Sequence, residues 1–181
     1  MHAVGLAQPT SDSSVLILGA GPIGLCAIAA AKARGVQTII SSDIADNRLA
    51  VAREWGATHT FNARSHDTVK AVRTLLPGGV DVVIDAVGTS TVRNQGILTV
   101  APGGTMVLMG LHEDETSIPT NYVIRQEISL LGCFCYTQHD FATAVDLIGR
   151  GIANPAENWL IERPLSAGDM SFKELLAGQA P

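Results

Sequence analysis

Charge is what this sequence has least of. Asp, Glu, Lys and Arg make up 16% of its 181 residues, against roughly 25% in an ordinary soluble domain. A surface so poor in charge is expected to be covered in part by another chain or another domain. The basic residues form no stripe, and the net charge of −5 argues against nucleic acid as a partner. No apolar run reaches the roughly 18 residues of a membrane span. The longest, Ile23 to Ala31, is made largely of small residues. Met1 to Gln8 has neither the basic region nor the apolar core of a signal peptide, so the cytoplasm is the expected compartment. The three cysteines, Cys26, Cys133 and Cys135, make neither a disulfide framework nor a C-x-x-C zinc site. His2, His59, His66, His112 and His139 are scattered away from cysteines and carboxylates at ligand spacing, so they read as surface or turn residues and no metal is expected here.

What the chain does have is apolar residues, 46% of the total, in a length that suits one domain with a single large core. Its most informative segment is Gly19-Ala20-Gly21-Pro22-Ile23-Gly24, which follows the apolar run Val15-Leu16-Ile17-Leu18 and precedes an Ala-rich stretch. Strand, glycine turn and helix in that order make a dinucleotide site. One glycine permits the turn, one lets backbone approach a pyrophosphate, and one lets the helix lie close on the strand. The anion then meets free N–H groups and the positive end of the helix dipole. Glycines in this pattern also arise by chance. Asp43 adds weight, because it ends the next apolar run, Thr38 to Ser42, roughly 20 residues on, where a carboxylate accepts from an adenosine ribose diol. The same charge repels a 2′-phosphate, so the expected cofactor is NAD.

Apolar runs of strand length alternate with helical patterns. Strands are expected near Val15–Leu18, Thr38–Ser42, Thr58–Phe61, Val80–Asp85, Thr105–Met109 and Ile128–Cys133. Helices are expected near Ile23–Arg34, Asn47–Trp55, Thr68–Leu75, Thr91–Val100 and Phe141–Arg150, with Gly35, Gly56 and Leu76 to Gly79 as stops. The pattern predicts a doubly wound α/β fold: a six-stranded, mainly parallel sheet with helices on both faces. After Gly151 it weakens to a short strand near Trp159–Ile161 and a short helix near Phe172–Leu176.

These segments resemble the cofactor domain of the medium-chain, zinc-type alcohol and polyol dehydrogenases. Val15 to Leu25 is similar to the family's entry to that domain, and Arg48 to Ala57 to its second helix. Gly79 to Gly88 is similar to its fourth strand and Pro102 to Gly110 to its fifth. On this resemblance, residues 1–14 are a hinge remnant, 15–150 the NAD-binding domain, and 151–181 a segment heading toward a catalytic domain that these residues do not include. The family's GroES-like catalytic domain carries the zinc that polarises an alcohol oxygen. The chain alone is then expected to bind NAD weakly and to turn over nothing.

The resemblance also distributes roles. Gly19, Gly21 and Gly24 cradle the pyrophosphate with Pro22 in the turn, and Ile23 lies under the nicotinamide or is a core isoleucine. Arg48 stands near the ribose and phosphate, or is a helix-surface charge. Ala86, Val87 and Gly88 flank adenine and ribose. Asp85 before them is a polar contact or simply closes its strand. Met109, Gly110 and Leu111 supply backbone groups to the nicotinamide amide. Phe134-Cys135-Tyr136 stands where sorbitol-type enzymes carry an aromatic-Arg-Tyr triplet. Cys135 in place of the arginine weakens a sorbitol assignment and leaves a smaller or less polar alcohol open, and Tyr136 reaches substrate or merely packs its ring. Cys133 and Cys135 are expected on one face of a strand, and His112 to Glu115 as a solvated acidic loop. The apolar edge Ile128 to Gly132 suggests a homo-oligomer. Two other readings stand beside this one: a zinc-free, NADP-dependent quinone or enoyl reductase, and a nucleotide- or S-adenosylmethionine-binding module.

Overall fold

The computed structural model describes residues 1–152 and 161–177. Six strands form one all-parallel sheet: β1 (Ser14–Leu18), β2 (Thr38–Asp43), β3 (His59–Asn62), β4 (Val80–Asp85), β5 (Val100–Leu108) and β6 (Ser129–Gly132). Their order across the sheet is β3-β2-β1-β4-β5-β6. Chain direction across the sheet therefore reverses between β1 and β4, the crevice where open α/β sheets bind ligands beyond the strands' carboxyl ends.

β1 is buried along its whole length, because it sits mid-sheet with helices on both sides. Its alternate side chains serve different layers. Val15 and Ile17 join Ile39, Ile84 and Val107 in one core, against α1 (His2–Ala7), α2 (Pro22–Ala33) and α3 (Asp46–Trp55). Leu16 and Leu18 join Ile40, Val83 and Met106 in the other, against α4 (Thr68–Leu75), α5 (Ser90–Thr99) and α6 (Thr120–Arg125). Each fully buried Leu or Ile contributes about 1.5–3 kcal/mol, so these two layers fix the sheet that aims the loops.

Within residues 1–14, α1 buries Ala3 and Val4 against the sheet. α7 (Gln138–Gly149) starts three residues before the expected Phe141, because Thr137 and Asp140 form a reciprocal capping box that nucleates its first turn. β5 starts five residues before the expected Thr105, since Val100 also pairs with Val80 and the register shifts between Val80 and Val82. α6 was not expected: it is six residues long with no apolar periodicity of its own. The final helix, α8 (Gly168–Leu176), contains the expected Phe172–Leu176 turn. The strand expected near Trp159–Ile161 lies outside the described residues except for Ile161, which is in no strand. No helix among the described residues is long and apolar enough to cross a membrane.

Candidate cofactor site

The glycine segment forms the turn from β1 into α2. Gly19 has φ +97°, open to glycine and strained for other residues, and its N–H donates to the Ser42 carbonyl at 2.7 Å. Gly21 is the N-cap of α2 and Pro22 its first residue; no side chain caps this end. The helix's first bond runs from Leu25 N–H to Gly21 carbonyl at 2.9 Å. That leaves the Ile23 and Gly24 amides without an intrahelical acceptor, facing the crevice. A Cβ on Gly24 would collide with the Gly19 carbonyl, whereas one on Gly21 would meet nothing within 4 Å. Gly24 therefore closes the turn, and Gly21 keeps open space at the helix end where an anion fits.

Asp43 ends β2 and is only 8% exposed. Its Oδ2 accepts from the Ala20 N–H at 2.7 Å and its Oδ1 from the Ala45 N–H at 3.0 Å. The carboxylate is thus fastened to the glycine turn, and no ion pair engages it among the described residues. Each oxygen keeps a second lone pair, enough to accept from two sugar hydroxyls.

On the other side of the crevice, the loops after β4 and β5 meet. Ala86 N–H donates to the Leu18 carbonyl at 2.9 Å, and a Cβ on Gly19 would touch the Val87 side chain at 2.7 Å, so this loop leans on the glycine turn. Gly88 (φ +86°) and Gly110 approach backbone to backbone so closely that neither position has room for a Cβ. Asp85 joins both loops. It is fully buried, its Oδ1 accepting from Val87 N–H at 2.9 Å and Gly88 N–H at 2.8 Å. Its main-chain carbonyl accepts from Met109 and Gly110 N–H at 3.1 and 2.9 Å. Burial pushes the Asp85 carboxyl's pKa up, opposed by the Val87 and Gly88 amides and by Arg93, whose Nε lies 3.7 Å from Oδ2.

Ile23, Met109 and Cys135 line one largely apolar cavity of about 210 Å³, with Cys26, Cys133 and Tyr136 also in its wall. Ile23 is 57% exposed, so the core alternative for it does not hold. Leu111 and Phe134 are exposed and stand outside that wall. Arg48 is half-buried on α3 with no hydrogen bond or ion pair to another described residue. Tyr136 stacks on Phe141 with ring centroids 6.0 Å apart.

Two expectations need correction. Cys133 and Cys135 do not share a strand face: β6 ends at Gly132, Cys133 is buried, and Cys135 turns left-handed at φ +57° and is exposed. The acidic loop is not merely solvated. Glu113 accepts from both the N–H and hydroxyl of Ser90 at the start of α5, and these bonds hold its carboxyl below the usual range. Sequence reading also passed over Arg93, an arginine in mid-helix whose role depends on Asp85 folding beside it. It likewise missed the contact of His2 Nδ1 with Asp140 at 2.9 Å, 138 residues apart.

A sequence model of the family described as zinc-binding dehydrogenases matches residues 22–150. The chain belongs to the zinc-binding dehydrogenase family. Sorbitol dehydrogenase 1 of Saccharomyces cerevisiae is a relative at 37% identity over 161 residues, covering 85% of this chain and 45% of that protein. The fold is also that of an alcohol dehydrogenase zinc-binding domain protein from Burkholderia ambifaria (TM-score 0.89, 28% identity), over 98% of this chain and 49% of that one. A zinc-binding dehydrogenase from Sinorhizobium meliloti, solved bound to NADP, is 33% identical with a TM-score of 0.79, over 83% of this chain and 45% of its own. The chain thus spans about half the length of the relatives it matches and corresponds to the family's dinucleotide-binding domain. Among the described residues no three His, Cys, Asp or Glu side chains converge to hold a metal ion. The described residues thus offer no ligand set for the zinc of the family name.

Proposed function

We propose that this chain is the NAD-binding half of an alcohol or polyol dehydrogenase that converts a secondary alcohol to a ketone. The observation that carries the choice of NAD is Asp43, fastened by its Oδ2 to the Ala20 amide, so that its charge stands at the rim of the glycine turn. A ribose diol would satisfy its remaining lone pairs, and a 2′-phosphate there would meet a fixed negative charge. The pyrophosphate would lie against the Ile23 and Gly24 amides over the open space at Gly21. The nicotinamide ring would enter the apolar cavity between Ile23 and Met109, which excludes water from one face. Bound there, NAD supplies the hydride acceptor for an alcohol carbon. The work of these residues is to hold and orient it. The chain by itself binds cofactor without turnover, since positioning alone does not activate an alcohol. Cys135 in place of a charged residue favours a small or weakly polar alcohol. β6, at the sheet edge, is the surface through which two copies would pair.

Calorimetry with NADH, NADPH and S-adenosylmethionine tests the assignment. NADH is expected to bind more tightly than NADPH, and Asp43→Asn to weaken NADH about tenfold while narrowing that gap. NADPH preference in the unaltered chain would point to the reductase reading, and S-adenosylmethionine binding without NADH binding would point outside the oxidoreductases altogether.

A further inference from the structure

The loop after β5 has an orientation problem that β5 alone does not solve. The Gly110 carbonyl and the Leu111 N–H belong to one peptide plane, and in a trans peptide they point in opposite directions. Whatever holds the carbonyl also aims the amide. Arg93, on α5, donates to the Gly110 carbonyl at 3.1 Å and to the Thr116 hydroxyl at 2.6 Å. It thereby clamps both ends of the segment that follows β5. Its charge is balanced by Asp85, whose carboxylate is buried 3.7 Å from Nε and whose other oxygen holds the Val87 and Gly88 amides. The Asp85 Oδ2 and Arg93 Nε are both buried without a hydrogen-bond partner among the described residues, so the guanidinium's bonds go to the loop and not to its counter-ion. The Leu111 N–H, turned the other way, donates to no acceptor among the described residues. Arg93's bond fixes the Gly110 carbonyl and, through the shared peptide plane, the direction of the Leu111 amide.

We infer that Arg93, held in place by Asp85, is the positioning residue that presents the Leu111 amide to an acceptor on the nicotinamide riboside half of the cofactor. The inference rests on the NAD reading above and assigns the pair to the nicotinamide end alone. The adenosine end is fixed separately, by Asp43 and the Ala20 amide. A planar fork is required: lysine carries the same charge but lacks the two diverging N–H groups that reach Gly110 and Thr116 together.

The affinities of NADH and ADP for the unaltered chain, Arg93→Lys and Thr116→Val test this, with thermal unfolding recorded for each. ADP reports the adenosine end only, so the NADH-to-ADP affinity ratio isolates the nicotinamide half. Arg93→Lys is expected to leave ADP affinity within about twofold and to lower the ratio about tenfold. Thr116→Val, on the loop and far less demanding of the fold, should lower it about threefold. A merely structural role would lower stability or weaken both ligands together and leave the ratio unmoved. A ratio unchanged in Thr116→Val, or in folded Arg93→Lys, overturns the inference while leaving the NAD reading intact. An unaltered chain that binds neither ADP nor NADH overturns both.

Discussion

The two sides of the crevice are built differently. The β1–β2 side is local: Gly19 to Gly24 is one unbroken turn, and its acid, Asp43, reaches it through a single hydrogen bond of 2.7 Å. The β4–β5 side is assembled from distant pieces, with Arg93, Gly110 and Thr116 meeting in a half-buried knot around the buried Asp85. A contiguous turn encodes its geometry in backbone preferences, so each glycine can be tested separately. A knot of side chains stands or falls together.

Breaking the knot is expected to give the largest effect. Arg93→Met leaves the fully buried Asp85 without its cation and should cost about 3–5 kcal/mol in urea unfolding. A loss below about 1 kcal/mol would mean that solvent reaches Asp85 and that the two sides do not differ as described.

The turn sharpens the contrast at a smaller scale. Gly24→Ala forces a methyl onto the Gly19 carbonyl and should cost about 2–3 kcal/mol, with cofactor binding lost. Gly21→Ala meets nothing in the fold and should shift stability by less than about 0.5 kcal/mol. It should nonetheless weaken NADH about tenfold or more, because its methyl would fill the open space proposed above for the pyrophosphate. Equal stability losses in the two variants, read by thermal unfolding, would erase the distinction between a glycine that closes the turn and one that leaves it open.

The smallest effect concerns neither side of the crevice but the start of α7 beside it. Thr137's hydroxyl and amide, with lesser help from His2, hold the Asp140 carboxyl down at about 2 against an ordinary 3.8. A carboxyl depressed in the folded state binds fewer protons there than when unfolded. Its stabilisation is therefore present above pH 3.8 and fades as pH falls toward about 2. Chemical unfolding of the parent and Asp140→Asn between pH 6 and pH 2 should give two curves that converge at the acid end; a constant gap would mean that the capping box does not titrate this way.

How much of this was legible in the sequence follows the same division. The strands Val80–Asp85 and the helix Thr68–Leu75 came out residue for residue, because a doubly buried strand and an amphipathic helix leave unbroken periodic signals. Glycine turn and acid were readable for a related reason: the turn needs glycine at fixed spacing, and the acid must end the next strand. β5 was placed five residues late because Pro102-Gly103-Gly104 reads as a turn, while pairing with β4 carries the strand through a shifted register. Arg93 and Glu113 carry no local signal, since a charge on a helix or in a loop looks alike whether solvated or clamped.

From the sequence alone came six strands of a mainly parallel sheet with helices between them, the glycine turn and the acid that ends the next strand, because backbone conformation and burial periodicity act within a few residues of each other. Only the tertiary structure decided which carbonyl after β5 is held by Arg93, which carboxylate pairs with that arginine, and which of the cysteines are buried. Those outcomes depend on contacts between segments far apart in the chain, and such contacts exist only once the sheet has brought its strand ends to one edge.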